Sequence, residues 1–228
     1  MSEGNGNRPV YYIPIGGTRA WNDRGAPKRR WWQKDSDFAK EMAKLRCVML
    51  DGDQPFVWTT DLNGVQFWRR WSIWFGSVSK FRDHRDWVAG GENLIRYCDS
   101  LRGPIPYADR NFITHSHGFQ VWAYAAALGL KCRRLISISP PVRRDMEDTV
   151  RLARGNVELW TLVVDKNRDS MANLGALGDG VFRRSRIFDA VDGRPDYRIA
   201  IPNIGHSGIL EGGQLSLWGA YAIDQYLR

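Results

Sequence analysis

Short β-branched and aromatic runs recur along the chain, separated by stretches whose apolar residues fall three or four apart. Val10-Tyr11-Tyr12-Ile13-Pro14-Ile15 reads as a strand that runs into Gly16-Gly17-Thr18. Phe38, Met42 and Leu45 are spaced i, i+4, i+7, which predicts a helix capped by Asp35 or Ser36. Cys47 to Leu50 is a second strand, and Phe56-Val57-Trp58 is a short strand or part of a loop. Glu92 to Leu101 reads as helix, with Leu94, Ile95, Cys98 and Leu101 on one face, until Gly103-Pro104-Ile105-Pro106 breaks it. Phe112-Ile113-Thr114 is a strand, and an Ala-rich helix follows from Phe119 to Leu128, ending near Gly129. Arg134 to Ser139 is the next strand, stopped by Pro140-Pro141. Asp145 to Ala153 reads as helix, and Val157 to Val164 and Tyr197 to Ile201 as strands. An amphipathic helix from Leu215 to Leu227 closes the chain and would bury Leu215, Trp218, Ala222 and Tyr226.

Strands alternating with helices predict an α/β fold, a mostly parallel sheet with helices on both faces. Ligands in such sheets bind beyond the carboxyl ends of the strands. Residues 1–9 are polar and Gly-rich and are expected to be disordered; residues 10–228 are expected to form one domain. From Leu62 to Trp87 the periodicity is lost, and Phe67, Trp68, Trp71, Trp74, Phe75, Phe81 and Trp87 alternate with Arg and Asp. Residues 62–90 are read as an excursion over the sheet edge or a cap above the site. Trp68, Trp71 and Trp74 would line a pocket for an apolar acyl or aromatic group, or simply pack a cap onto the domain.

The candidate chemistry lies at strand ends. Thr114-His115-Ser116-His117-Gly118 puts a serine at the tip of a strand-to-helix turn, with a glycine two residues later. This matches G-x-S-x-G apart from Thr114 in place of the first glycine. A serine hydroxyl is a weak nucleophile and needs a base. His115 and His117 flank it and point away, and His84 lies in the aromatic stretch. His206, in the loop after the last strand, is positioned to reach Ser116. A carboxylate must hold the tautomer of that base. Asp169 is preferred because it sits four residues into the loop after Val164 and could turn toward the histidine; Asp165, at the strand end, is its rival. The backbone N–H of His117, with that of Gly17 or Thr18, would bind a developing oxyanion. Gly205-His206-Ser207-Gly208 also contains G-H-S, but its second glycine comes one residue too early and no helix follows directly, so Ser207 is a poor nucleophile.

The order Ser116, Asp169, His206, each after its own strand, resembles the α/β-hydrolase superfamily, and in particular its small lipase- or esterase-like members. The likeness rests on Ile13-Pro14-Ile15-Gly16-Gly17-Thr18, Thr114 to Gly118, the loop Asp165 to Asp169, and Gly205 to Gly208, and spans residues 10–228. That family opens with a hairpin that does not fit before Val10, so a reduced sheet of about six strands is expected. The resemblance implies a serine hydrolase acting on a small-molecule ester or related acyl substrate through an acyl-enzyme, with no metal or organic cofactor.

Charge and cysteine content change this picture little. The net charge is +8, but the Arg pairs at 29–30, 69–70, 133–134, 143–144 and 183–184 are scattered and accompany no nucleic-acid-binding motif. A solvated basic surface fits them better than a nucleic-acid site. Cys47, Cys98 and Cys132 are odd in number and form no C-x-x-C pair, so reduced thiols are expected, with neither a disulfide framework nor a zinc site. No run approaches the ~20 apolar residues of a membrane span, and the polar start predicts a cytoplasmic protein. Fold alone never fixes function. The alternative is a catalytically inactive binding or assembly module that uses the basic, Trp-rich surface.

Overall fold

The computed structural model describes residues 10–17, 31, 35–50, 80–101, 110–141, 144–166, 194–210, 216–221 and 223–227. Strands β1 (Val10–Ile15), β2 (Cys47–Met49), β3 (Asn111–His115), β4 (Cys132–Ile138), β5 (Val157–Asp165) and β6 (Tyr197–Ile201) alternate with helices α1 (Asp37–Lys44), α2 (Lys80–Ser100), α3 (Gly118–Ala127), α4 (Glu147–Arg154) and α5 (Leu217–Ala220). The strands form one sheet in the order β2-β1-β3-β4-β5-β6, with every pair parallel.

The handedness of the crossovers fixes which face each helix covers. The path from β1 to β2 moves outward one way. The path from β2 to β3 passes back over β1, and β3, β4 and β5 continue in that second direction. Right-handed connections therefore put α1 on one face and α2, α3 and α4 on the other. The core divides accordingly. Trp87 and Leu94 of α2, Phe119 and Trp122 of α3 and Val150 of α4 pack on Ile13, Phe112 and Trp160. Phe38 and Met42 of α1 join the C-terminal Trp218, Ile223 and Leu227 against Tyr12, Ile113 and Val163.

Local signals explain the helix ends. Ser36 caps α1, its Oγ accepting from the Ala39 N–H at 3.1 Å. Gly129 closes α3 with φ 101°, while the N–H groups of Gly129 and Leu130 return to the carbonyls of Ala126 and Ala125. In the middle of α2 a Cβ on Gly91 would lie 2.9 Å from the Ala125 nitrogen, so α2 and α3 touch backbone to backbone there.

Three expectations need correction. The helix predicted from Glu92 begins at Lys80, so residues 80–90 of the Trp- and Arg-rich stretch belong to α2; Trp87 is a core residue. The rest of that stretch, with Trp68, Trp71 and Trp74, lies outside the described residues, as does Phe56-Val57-Trp58. The single closing helix is instead a short α5 followed by a 3-10 turn, Ile223–Leu227. Its buried residues are Trp218, Ile223 and Leu227, and Tyr226 is half-buried against Tyr197 with ring centroids 4.4 Å apart. The strand predicted to run to Ser139 stops at Ile138, because Ser139 turns to φ 46°. All three cysteines are free, buried thiols. Among the described residues no helix is long and apolar enough to cross a membrane.

Candidate functional site

The strand order reverses between β1 and β3. The chain leaves β1 toward β2 on one side, and β3 starts afresh on the other, which opens a crevice beyond their carboxyl ends. Ile15 is paired with Thr114, so Gly16-Gly17 leave the sheet beside His115, the last residue of β3, and Ser116.

Ser116 has φ 53°, a left-handed conformation that residues with a Cβ seldom adopt. Two backbone bonds hold it there. Its N–H donates to the Ile138 carbonyl at 3.0 Å, and its own carbonyl accepts from the Phe119 N–H in the first turn of α3 at 3.1 Å. The residue is buried, 8% exposed. Two glycines explain how the turn fits. A Cβ on Gly118 would lie 2.3 Å from the Ile15 carbonyl oxygen and 2.8 Å from that of Gly16. Gly118 is thus required by the contact of α3 with the end of β1, beyond the tightness of the turn itself. A Cβ on Gly17 would lie 2.6 Å from Ser116 Cβ and 3.1 Å from its Oγ. The glycine-rich turn after β1 therefore passes directly against the serine side chain. Thr114, which replaces the motif's first glycine, is fully buried in β3.

His117 is the first residue after the turn and precedes α3. Its ring stacks on Trp87 of α2 with centroids 5.7 Å apart and planes at 22°. The positive end of the α3 dipole faces the crevice, where negative charge would be stabilised.

The loop after β6 reaches the ends of β3 and β5. His115 Nε2 lies 3.1 Å from the His206 carbonyl oxygen, and the two rings are 4.9 Å apart. Ser207 Oγ is 3.3 Å from the same Nε2. Asp165, the last residue of β5, accepts the Gly205 N–H on Oδ2 at 2.7 Å. The structure thus sets Gly17 against Ser116, His115 against His206, and Asp165 against the Gly205 N–H. Thr18 and Asp169 lie outside the described residues. His84 lies in the first turns of α2.

Two features were missed in the sequence. His115 was set aside as a base, yet it contacts the histidine loop; no local pattern signals a contact across 91 residues. Ser139, at the end of β4 beside the elbow, repeats the left-handed exit of Ser116 and donates its N–H to the Val163 carbonyl at 2.9 Å. The Pro140-Pro141 pair that follows was the available signal. Gln120 of α3 donates from Nε2 to the Pro141 carbonyl at 2.6 Å, tying that loop to the elbow helix.

No family model, curated protein or solved structure matches the chain.

Proposed function

We propose that the protein is a serine hydrolase of α/β-hydrolase type that cleaves a carboxylic ester or related acyl bond through an acyl-enzyme on Ser116. The observation that carries this reading is the left-handed Ser116 at the β1/β3 crevice, with Gly17 against its side chain and the His206 loop bonded to its neighbour His115. A strained residue held by its surroundings at a ligand-binding crevice is a functional candidate. The order of the strands supports it further: the serine follows β3, the carboxylate β5 and the histidine β6, so all three converge on one edge of one sheet.

In this mechanism Ser116 Oγ attacks the acyl carbon and its proton passes to His206. The tetrahedral oxyanion is held by the N–H of His117 and by N–H groups of the Gly17-Thr18 turn. His206 then delivers the proton to the departing alcohol, which leaves the acyl group on Ser116. Water, deprotonated by the same histidine, attacks the acyl-enzyme and releases the acid. Trp87 fixes the ring of His117 from below, so the helix-end amide stays aimed.

The carboxylate that orients His206 is Asp165 or Asp169. Asp165 already holds the loop by accepting the Gly205 N–H on Oδ2. An Asn at 165 keeps an acceptor for Gly205 and loses only the charge, whereas an Ala loses both. If Asp165 is the acid, Asp165→Asn and Asp165→Ala both slow turnover by about 10³-fold or more. If Asp169 is the acid, Asp169→Asn shows that loss and Asp165→Asn does not.

Hydrolysis of short p-nitrophenyl esters tests the proposal. Ser116→Ala and His206→Ala should each lower kcat by about 10³-fold or more with the fold intact. Ester hydrolysis undiminished in Ser116→Ala would refute it. An inert wild type with salt-sensitive binding to nucleic acid would favour the binding-module alternative.

A further inference from the structure

We infer that His115 is a positioning residue for His206: it ties the loop that carries the base to the strand that carries the nucleophile. The inference rests on the reading of Ser116 and His206 as nucleophile and base.

The chemistry of the contact fixes its direction. A carbonyl oxygen has no proton to give, so reading the 3.1 Å approach of His115 Nε2 to the His206 oxygen as a hydrogen bond assigns the proton to Nε2. With Nε2 acting as donor, the Ser207 hydroxyl at 3.3 Å cannot donate to it; it stands as a second, weaker acceptor. His115 is the last residue of β3 and Ser116 is the next residue along. The bond therefore fixes the His206 backbone relative to the serine through one rigid strand end. Asp165, at the end of β5, holds the preceding residue through the Gly205 N–H at 2.7 Å. Two consecutive residues of one loop are thus held by two different strands of the sheet. The tilted contact of the two rings, centroids 4.9 Å apart at 54°, and the T-shaped contact with Trp31 at 6.5 Å add to the seat of His115. Catalytic groups displaced by about 1 Å lose on the order of 10²-fold in rate, so a loop held at two adjacent points preserves the geometry that proton transfer needs.

The test uses the full chain with two substitutions. His115→Leu removes the donor and keeps bulk, and His115→Gln keeps an amide N–H at the reach of Nε2. The rate of Ser116 labelling by a fluorophosphonate is measured for each, alongside Tm and the ¹⁵N spectrum of the wild-type histidines. Expected are an Nε2–H tautomer for His115, a labelling rate lowered about 10- to 100-fold in His115→Leu, and recovery of most of that rate in His115→Gln. A merely structural role would not give recovery that follows the donor. A labelled wild type with equally fast His115→Leu overturns this inference alone. An Nδ1–H tautomer does the same, even where a variant fails to fold. A folded wild type that takes no label at Ser116 overturns both this inference and the hydrolase reading.

Discussion

A left-handed backbone costs a residue with a Cβ about 1–2 kcal/mol, and Ser116 bears that cost where a glycine would not. The proposed reading accounts for a serine there by the use of its hydroxyl as nucleophile. Ser116→Gly should therefore raise Tm by about 2–4 °C, corresponding to about 1 kcal/mol of relieved strain at this chain length, while ester hydrolysis is lost. Thermal melts and a p-nitrophenyl ester assay on the same sample check both halves; a Tm below that of wild type would contradict the strain. The neighbouring Gly17 has the opposite sensitivity. Its substitution by Ala puts a methyl group 2.6 Å from Ser116 Cβ, so the turn or the serine must move. Gly17→Ala should lower kcat by about 10²-fold with a small change in Tm. The sequence made Ser116 and Gly17 legible as candidates because a glycine-rich turn and a serine turn each followed an apolar run. Why Gly118 is needed was not legible: the clash it avoids is with Ile15, on a strand about a hundred residues earlier.

At the scale of elements, the strands were easiest to read, since buried parallel strands are short, β-branched and bounded by Gly or Pro. β1, β5 and β6 lie within a residue of their predicted bounds. The helices were harder where burial did not follow one stripe. α2 continues through residues 80–87, whose mixture of aromatics and charges hides a helical period. The C-terminal segment failed as one helix because its buried residues Trp218, Ile223 and Leu227 are five and four apart, which no single α-helical face presents. Tertiary bonds set its course: Trp218 Nε1–H donates to the Ile209 carbonyl at 2.9 Å, and the Tyr12 hydroxyl donates to the Leu227 carbonyl at 2.8 Å. The close crossing of α2 and α3 at Gly91 has its own consequence. Gly91→Val would force the two helices apart and should destabilise the protein by about 1–3 kcal/mol, read as a lower urea midpoint with the cleavage chemistry intact in what remains folded.

The whole molecule is a sheet closed by two cores, and its buried acids make it sensitive to alkali. Burial pushes the Cys98 thiol up from 9.0 to about 12 and raises the Cys132 thiol and the Tyr12 hydroxyl as well. Each group ionises more readily unfolded than folded. Their contribution is therefore complete below about pH 9, the ordinary thiol range, and is lost as pH rises toward the folded values. Tm should hold steady from neutral pH to about pH 9 and fall progressively from there toward pH 12; a Tm unchanged across that alkaline range would contradict the burial of these groups. The same architecture explains what the sequence could reveal of the site. Ser116, Asp165 and His206 could be named as candidates because each follows a readable strand, and parallel strands deliver their ends to one edge. The contacts of His115 with His206 and of Asp165 with Gly205 join residues 91 and 40 positions apart and required the fold.

The most direct measurement of the central claim is covalent labelling of the folded protein with a fluorophosphonate, followed by peptide mapping, on wild type and Ser116→Ala. The account predicts a single modified site at Ser116 and label that vanishes in the Ala variant. A folded wild type left unlabelled, or label that persists at another residue in Ser116→Ala, would contradict it.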